Sequence, residues 1–276
     1  MFGIKKRIKP SFFILGAQKA ATTSVFHYII QHPDVICPSK KEFNFFSLDD
    51  NYEKGIEDYL LSFPRKKIKL FHTYYSFEAT PEYLYYPYVP ERIFKSFPNA
   101  KLIILLREPV QRAFSAWNMY KQLEPHFRKL AYEYKRDGKT DNLITAFYSK
   151  RHFPTFKEAI EIEQNILNSG SSFIEPSLIR RGFYDIQLVN YFKFFERDQI
   201  LILNYHQFID NPVKGIEEIA AFLKLPAKNW GDVNLKPENS RSYNDIIVKE
   251  TYDMLTTSFK PHNENLFTIL KTKPWW

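Results

Sequence analysis

Residues 12–29 read Phe12-Phe13-Ile14-Leu15-Gly16-Ala17-Gln18-Lys19-Ala20-Ala21-Thr22-Thr23-Ser24-Val25-Phe26-His27-Tyr28-Ile29. Four apolar residues run straight into a glycine. Behind a short turn, Val25, Phe26, Ile29 and Ile30 share one helical face. The reading is strand, turn, helix. His32-Pro33 ends the helix, because the residue before a proline is pushed out of the helical region. A helix that starts behind a buried strand offers backbone N–H groups and the positive end of its dipole to an anion. Thr22, Thr23 and Ser24 add hydroxyl donors, and Lys19 puts a full charge inside the turn. The spacing is not that of the triphosphate loop G-x-x-x-x-G-K-[ST]. Counted from Gly16, Ala21 stands where the second glycine belongs and Thr22 where the lysine belongs. The turn suits a phosphate-like anion, but not a Mg-nucleotide triphosphate.

A second unit of the same kind lies at residues 101–117, KLIILLREPVQRAFSAW. The run Lys101–Leu106 has the continuous apolar character of a central parallel strand. Pro109 opens a helix to about Leu123 from a favoured first-turn position. Arg107 stands just past the strand, and Ser115 follows eight residues later on the helix. Ligands of open α/β sheets bind outside the carboxyl ends of the strands, so Arg107 is aimed at the same rim as the Lys19 turn. A guanidinium there can hold a phosphate bidentately, and Ser115 can add a hydroxyl. Further along, 199–203 reads as another buried strand, and 183–195 and 213–223 read as amphipathic helices. The alternation predicts an α/β fold with a central parallel sheet flanked by helices.

Composition narrows the field around these motifs. The chain has 276 residues, with 26 Phe and 18 Tyr, which excludes a disordered chain. One cysteine excludes a disulfide scaffold and a Cys-rich zinc module. The seven histidines are scattered without an H-x-x-x-H pair, so no metal is expected. The net charge of +8 points to an anionic partner. No RNA- or DNA-binding signature accompanies it, so nucleic acid is not expected. The basic start MFGIKKRIKP is followed by an apolar run shorter than a signal peptide needs, and no run approaches the roughly 18 residues of a membrane span. A cytoplasmic protein is the expectation.

Together the two motifs resemble the PAPS-dependent sulfotransferases. In that family the first strand-loop-helix holds the 5′-phosphosulfate, and R-x-P with a serine eight residues on holds the 3′-phosphate. Lys41-Glu42-Phe43-Asn44-Phe45-Phe46 resembles the K-E-x-x-F-F motif of the heparan sulfate 3-O-sulfotransferases and their bacterial relatives. Glu78-Ala79-Thr80-Pro81-Glu82-Tyr83 resembles their E-x-T-P-x-Y segment. Arg181-Gly182-Phe183-Tyr184 with Leu188, then Gln199-Ile200-Leu201, Pro212 and Phe222-Leu223, is similar to a later family pattern. Ala21 departs from it, since many members have glycine there. Alanine fits only if its φ stays negative.

The resemblance implies a P-loop-type three-layer fold in one domain over 1–276. PAPS would be the co-substrate, PAP the product, and no metal would take part. Gly16, Gln18, Lys19, Ala20, Ala21, Thr22, Thr23, Ser24, Arg107 and Ser115 would hold the donor. Tyr184 would lie near its adenosine end, and Arg241, in the run 237–242, would close on a phosphate. Lys19 would stabilise the bridging oxygen as it leaves, and Glu42 would take the acceptor proton. Phe43, Phe45 and Phe46 are expected to desolvate that carboxylate, while Lys41 draws the other way. His126 and His152 are alternative bases.

The stretch 121–157 reads as a less regular insertion or acceptor-side flap. It carries nine basic and four acidic residues, a balance of +5, with Tyr132, Tyr134, Phe147, Tyr148 and Phe153 among them. Basic and aromatic residues together suit acidic sugars. Lys41, Glu78, Lys121 and Arg151 are expected on the acceptor side, with a hydroxyl of a carbohydrate or glycolipid as acceptor. Two other classes compete. A P-loop kinase or NTPase would need the Walker lysine. A non-catalytic polyanion binder would leave the Arg107/Ser115 pair unexplained.

Overall fold

The computed structural model describes residues 5–67, 72–138, 143–170, 177–234 and 245–276. The strands are β1 (Lys5–Arg7), β2 (Pro10–Gly16), β3 (Arg65–Lys67), β4 (Ser76–Ala79), β5 (Lys101–Leu106) and β6 (Ile200–Asn204). The first helices are α1 (Thr22–Ile29), α2 (Asp49–Tyr52), α3 (Ile56–Leu61), α4 (Val89–Ser96), α5 (Pro109–Gln122) and α6 (Glu124–Arg136). Then come α7 (Leu143–Tyr148), α8 (Phe156–Asn168), α9 (Tyr184–Tyr191), α10 (Tyr205–Asp210), α11 (Pro212–Leu223) and α12 (Lys249–Leu270). They form two compact units. One comprises Met1–Arg107 with Ile186–Arg241, the other Glu108–Asp185 with Ser242–Trp276.

The first unit holds the expected parallel sheet, with strand order β4-β2-β5-β6. β2 and β5 are central, and Phe12–Leu15 and Leu102–Leu106 are fully buried. That is why both read as unbroken apolar runs rather than alternating ones. Successive side chains of β2 serve opposite faces. Phe12 stacks on Phe77 of β4 at 4.8 Å, and Phe26 of α1 covers Phe77 at 5.1 Å. On the other face Phe13 meets Phe46 at 5.9 Å and Phe97 at 5.6 Å. The sheet thus lies between α1 on one side and an aromatic loop on the other. A separate antiparallel pair, β1 with β3, consists of cationic residues only.

The second unit is helical. Its core joins Phe114, Trp117 and Tyr120 of α5 to Ala131, Phe147, Tyr148, Phe156, Ile160, Leu255 and Phe259. The stretch expected to be irregular, 121–157, is therefore largely helix, and its α6 and α7 contribute fully buried side chains. Of the five aromatic residues read there as an acceptor surface, Phe147 and Tyr148 are buried in the core and Phe153 packs against both, whereas Tyr132 is 72% exposed and Tyr134 half-buried. Thr155 and Glu158 form a reciprocal capping box at the start of α8. Gly182 permits a close crossing, since a Cβ there would lie 2.5 Å from the Phe259 ring and 3.0 Å from Pro109. The helix expected over 183–195 spans only Tyr184–Tyr191 and then breaks into a turn. Among the described residues no helix is long and apolar enough to cross a membrane.

Candidate active site

All four strands of the sheet are parallel, so their carboxyl ends form one rim. β2 ends there at Gly16. Its φ of +147° suits glycine alone, and a Cβ would sit 3.0 Å from both the Pro81 carbonyl and Leu84. The loop that follows is tied to β5 by the Ala17 N–H, which donates to the Leu105 carbonyl at 2.7 Å. Ala20 is buried, as are Thr22 and Ser24 on α1, while Gln18, Lys19, Ala21 and Thr23 are half-buried. Lys19 and Ala21 have φ of 69° and 60°. The negative φ expected at Ala21 is thus wrong. The turn from β2 into α1 puts the N-cap residue itself in the left-handed region, and alanine occupies it with strain.

Arg107 follows β5 directly. Its Nη1 donates to the Lys19 carbonyl at 3.1 Å, and its guanidinium lies 4.7 Å over the Tyr205 ring. Two strand ends are joined in this way. Gln18 donates to Glu82 at 3.2 Å, which brings in the segment after β4. Neither Tyr205 nor Glu82 was singled out from sequence. Tyr205 carried a usable signal, because it is the first residue beyond the strand 200–204 and so belongs to the same rim.

Glu42 sits on a loop hung from β4, with its N–H donating to the Ala79 carbonyl at 3.2 Å. Glu42 and Asn44 both have positive φ, 62° and 54°. The Glu42 side chain is 48% exposed and pairs with Lys41. The expected aromatic shroud is not there. Phe43, Phe45 and Phe46 point into the core against Tyr59, Tyr52 and Tyr83, where their burial stabilises the fold. The loop's far end is held by Arg92, which donates to the Phe46 carbonyl at 3.1 Å. Tyr88 donates to the Ser47 carbonyl at 2.7 Å.

Glu78 lies under that loop, 1% exposed. It accepts hydrogen bonds from the Tyr59 hydroxyl, from Thr80 at 2.8 Å and from Tyr83 at 2.5 Å. Burial pushes its carboxyl up to about 7, against the opposing pull of these hydroxyl donors. Burial and the neighbouring carboxylate push the Tyr59 and Tyr83 hydroxyls well above their ordinary range. An acceptor-side Glu78 was expected. The carboxylate is instead sealed among its own partners, because β4 carries it on the inner face opposite Phe13.

The remaining expected residues belong to the second unit or fall outside the described ones. Ser115 is buried on α5. Tyr184 is buried at the start of α9, with its ring 6.3 Å from that of Trp276. Trp276 also meets Phe267 at 5.2 Å, so the terminal tryptophans are a packed tail. Lys121 is paired with Asp245 at 2.8 Å, and Arg151 and His152 are exposed. Arg241 lies outside the described residues.

The chain matches the sulfotransferase domain family over residues 9–264. It is 27% identical to the membrane-associated sulfotransferase kil1 of Dictyostelium discoideum, over 97% of this chain and 66% of that protein. It is 27% identical to heparan sulfate glucosamine 3-O-sulfotransferase 5 of Mus musculus, over 79% of this chain and 54% of that one. The chain therefore spans less than two thirds of the length of either relative. Among solved structures, a sulfotransferase from Alicyclobacillus acidocaldarius superposes with a TM-score of 0.67 at 26% identity, covering 96% of this chain and 97% of that one. With its glycine-opened loop and parallel rim accounted for, the chain belongs to the sulfotransferase domain family.

Proposed function

We propose that the chain transfers a sulfuryl group from PAPS to an acceptor hydroxyl and releases PAP. The observation that carries this reading is the link between the Lys19 loop and Arg107 at adjacent strand ends. Two cations held together there, beside a glycine that lets backbone approach closely, fit a donor with anionic groups at both ends. Sulfuryl transfer resembles phosphoryl transfer, with in-line attack and a loose transition state. The acceptor oxygen forms the new S–O bond, and the bond from sulfur to the bridging oxygen breaks. Lys19 stabilises the charge that grows on that oxygen. Glu42 takes the hydroxyl proton. Its exposure leaves it within reach of an incoming acceptor, and docking of that acceptor supplies the desolvation that the inward-turned phenylalanines do not. A carbohydrate acceptor is supported by the relative named as a heparan sulfate glucosamine sulfotransferase.

PAP should raise the melting temperature without Mg²⁺, and ATP with Mg²⁺ should do much less. An equal response to both, or to neither, overturns the reading. Lys19→Ala and Glu42→Gln should each lower turnover by about a hundredfold or more. The PAP-induced shift should survive in Glu42→Gln. Normal turnover in Glu42→Gln removes it as the base.

A further inference from the structure

The Glu78 carboxylate has a geometry that simple core filling does not explain. A carboxylate offers about four lone-pair sites. Three hydroxyls fill three of them here. Two of the three lead to the loop that carries Glu42. The Tyr83 hydroxyl donates to Glu78 and accepts from the Phe46 N–H at 3.2 Å. The second, Tyr59, stacks on Phe45 at 4.4 Å. One buried side chain therefore holds the loop through Phe45 and Phe46.

That grip matters because the loop does not hold its shape unaided. Glu42 and Asn44 flank Phe43 in left-handed conformations, which asparagine tolerates but which is unfavourable for Glu42. Such a backbone persists only where its surroundings over-determine it. The Ala79 carbonyl, next to Glu78 on β4, takes the Glu42 N–H and completes the mould. Burying a carboxylate is costly, and an apolar residue of similar size usually serves stability as well or better. The arrangement is better suited to fixing a position than to adding stability.

We propose that Glu78 is a positioning residue for Glu42: its buried carboxylate moulds the loop 42–46 so that the Glu42 carboxylate meets the acceptor hydroxyl in a fixed place. The proposal rests on the reading of Glu42 as the base. Glu78 itself touches neither donor nor acceptor. Replacement by glutamine keeps its size but turns one acceptor oxygen into a donor, so a hydroxyl that donated to it must turn and accept instead, which disturbs the mould.

The test uses the full chain, isotopically labelled PAPS and a fixed glycan extract as acceptor pool, read as label incorporated. Glu78→Gln should lower the maximal rate about tenfold and leave the donor KM within about twofold. Its PAP-induced shift should be unchanged, and its melting temperature at pH 7.5 should not fall. The double variant Glu42→Gln/Glu78→Gln should be no slower than Glu42→Gln alone, because the two act as one unit. A normal rate for Glu78→Gln, with Glu42→Gln slow, overturns the positioning role and leaves the base standing. A normal rate for Glu42→Gln overturns the base, and this role with it. Losses that multiply in the double variant mean that Glu78 acts independently, and they overturn the proposal too. Tyr83→Phe, which cuts only the relay to the Phe46 N–H, is the second variant should glutamine prevent folding. It should lower the rate about threefold at unchanged donor KM, and a normal rate there counts against the mould.

Discussion

Ala21 shows what a single residue's backbone reveals that its identity conceals. An alanine in this loop suggested an ordinary right-handed geometry, yet its φ is 60°. The turn leaves no choice, because Gly16, Lys19 and Ala21 together must redirect a buried strand into a helix within a few residues. Glycine at position 21 removes the steric cost of the left-handed conformation, about 1 kcal/mol net of the greater freedom it gives the unfolded chain. Ala21→Gly should therefore raise stability by about that amount in a denaturant titration, and a loss of stability would show that the loop needs the methyl group. The identities of Lys19, Arg107 and Glu42 were legible because motif spacing fixes which strand end each one follows. Their pairings were not. Tyr205 could be placed on the rim, just past its strand, but not over Arg107, and Glu82 follows a strand that gives no apolar run.

At the scale of elements, legibility followed burial. β2 and β5 are buried on both faces, and so they stand out as apolar runs. β4 escaped notice because a buried glutamate interrupts its four residues, and the interruption is explained by the hydroxyls that receive it. β1 and β3 carry only Lys and Arg and give no apolar signal at all. α12, 22 residues long, is mostly polar and contains Pro261, which removes an interior N–H donor, so it gives no clear apolar stripe. It is nonetheless anchored, because Leu255 and Phe259 enter the core of the second unit and His262 meets Asp185 at 2.9 Å. α12 crosses closely over Gly182. Gly182→Ala should cost about 1–3 kcal/mol, since the new methyl would press on the Phe259 ring and on Pro109. A neutral effect in thermal or chemical unfolding would mean that the ring swings aside freely.

For the whole molecule, the +8 that first suggested an anionic partner is less available than it looks. Within 121–157, Lys121 is paired with Asp245, Lys157 with Glu250, Arg128 with Glu124 and Arg136 with Asp137. Exposed pairs of this kind contribute little to stability, about 0–1 kcal/mol each, but they do occupy charge that an acceptor would otherwise meet. Two buried carboxyls add a pH response of their own. Glu78 is raised to about 7 and Glu163 to about 6, both by desolvation. Arg180 and the N–H groups of residues 179 and 180 pull Glu163 back down. A carboxyl with a raised folded pKa binds its proton more tightly when folded. The associated stability is complete below the unfolded value of 4.5 and is lost as pH rises through the folded value. Between about pH 4.5 and 7.5 these two groups should therefore subtract about 3 and about 2 kcal/mol, in the first and second unit respectively. Deprotonation of exposed groups moves the net charge toward zero over the same range and opposes this trend, so the difference between proteins is the sharper measure. Glu78→Gln cannot ionise, and its unfolding free energy should fall by about 3 kcal/mol less than that of the unaltered chain across this window. Parallel pH dependences for the two proteins would mean that Glu78 stays ionised when folded, with its hydroxyl donors outweighing the cost of burial.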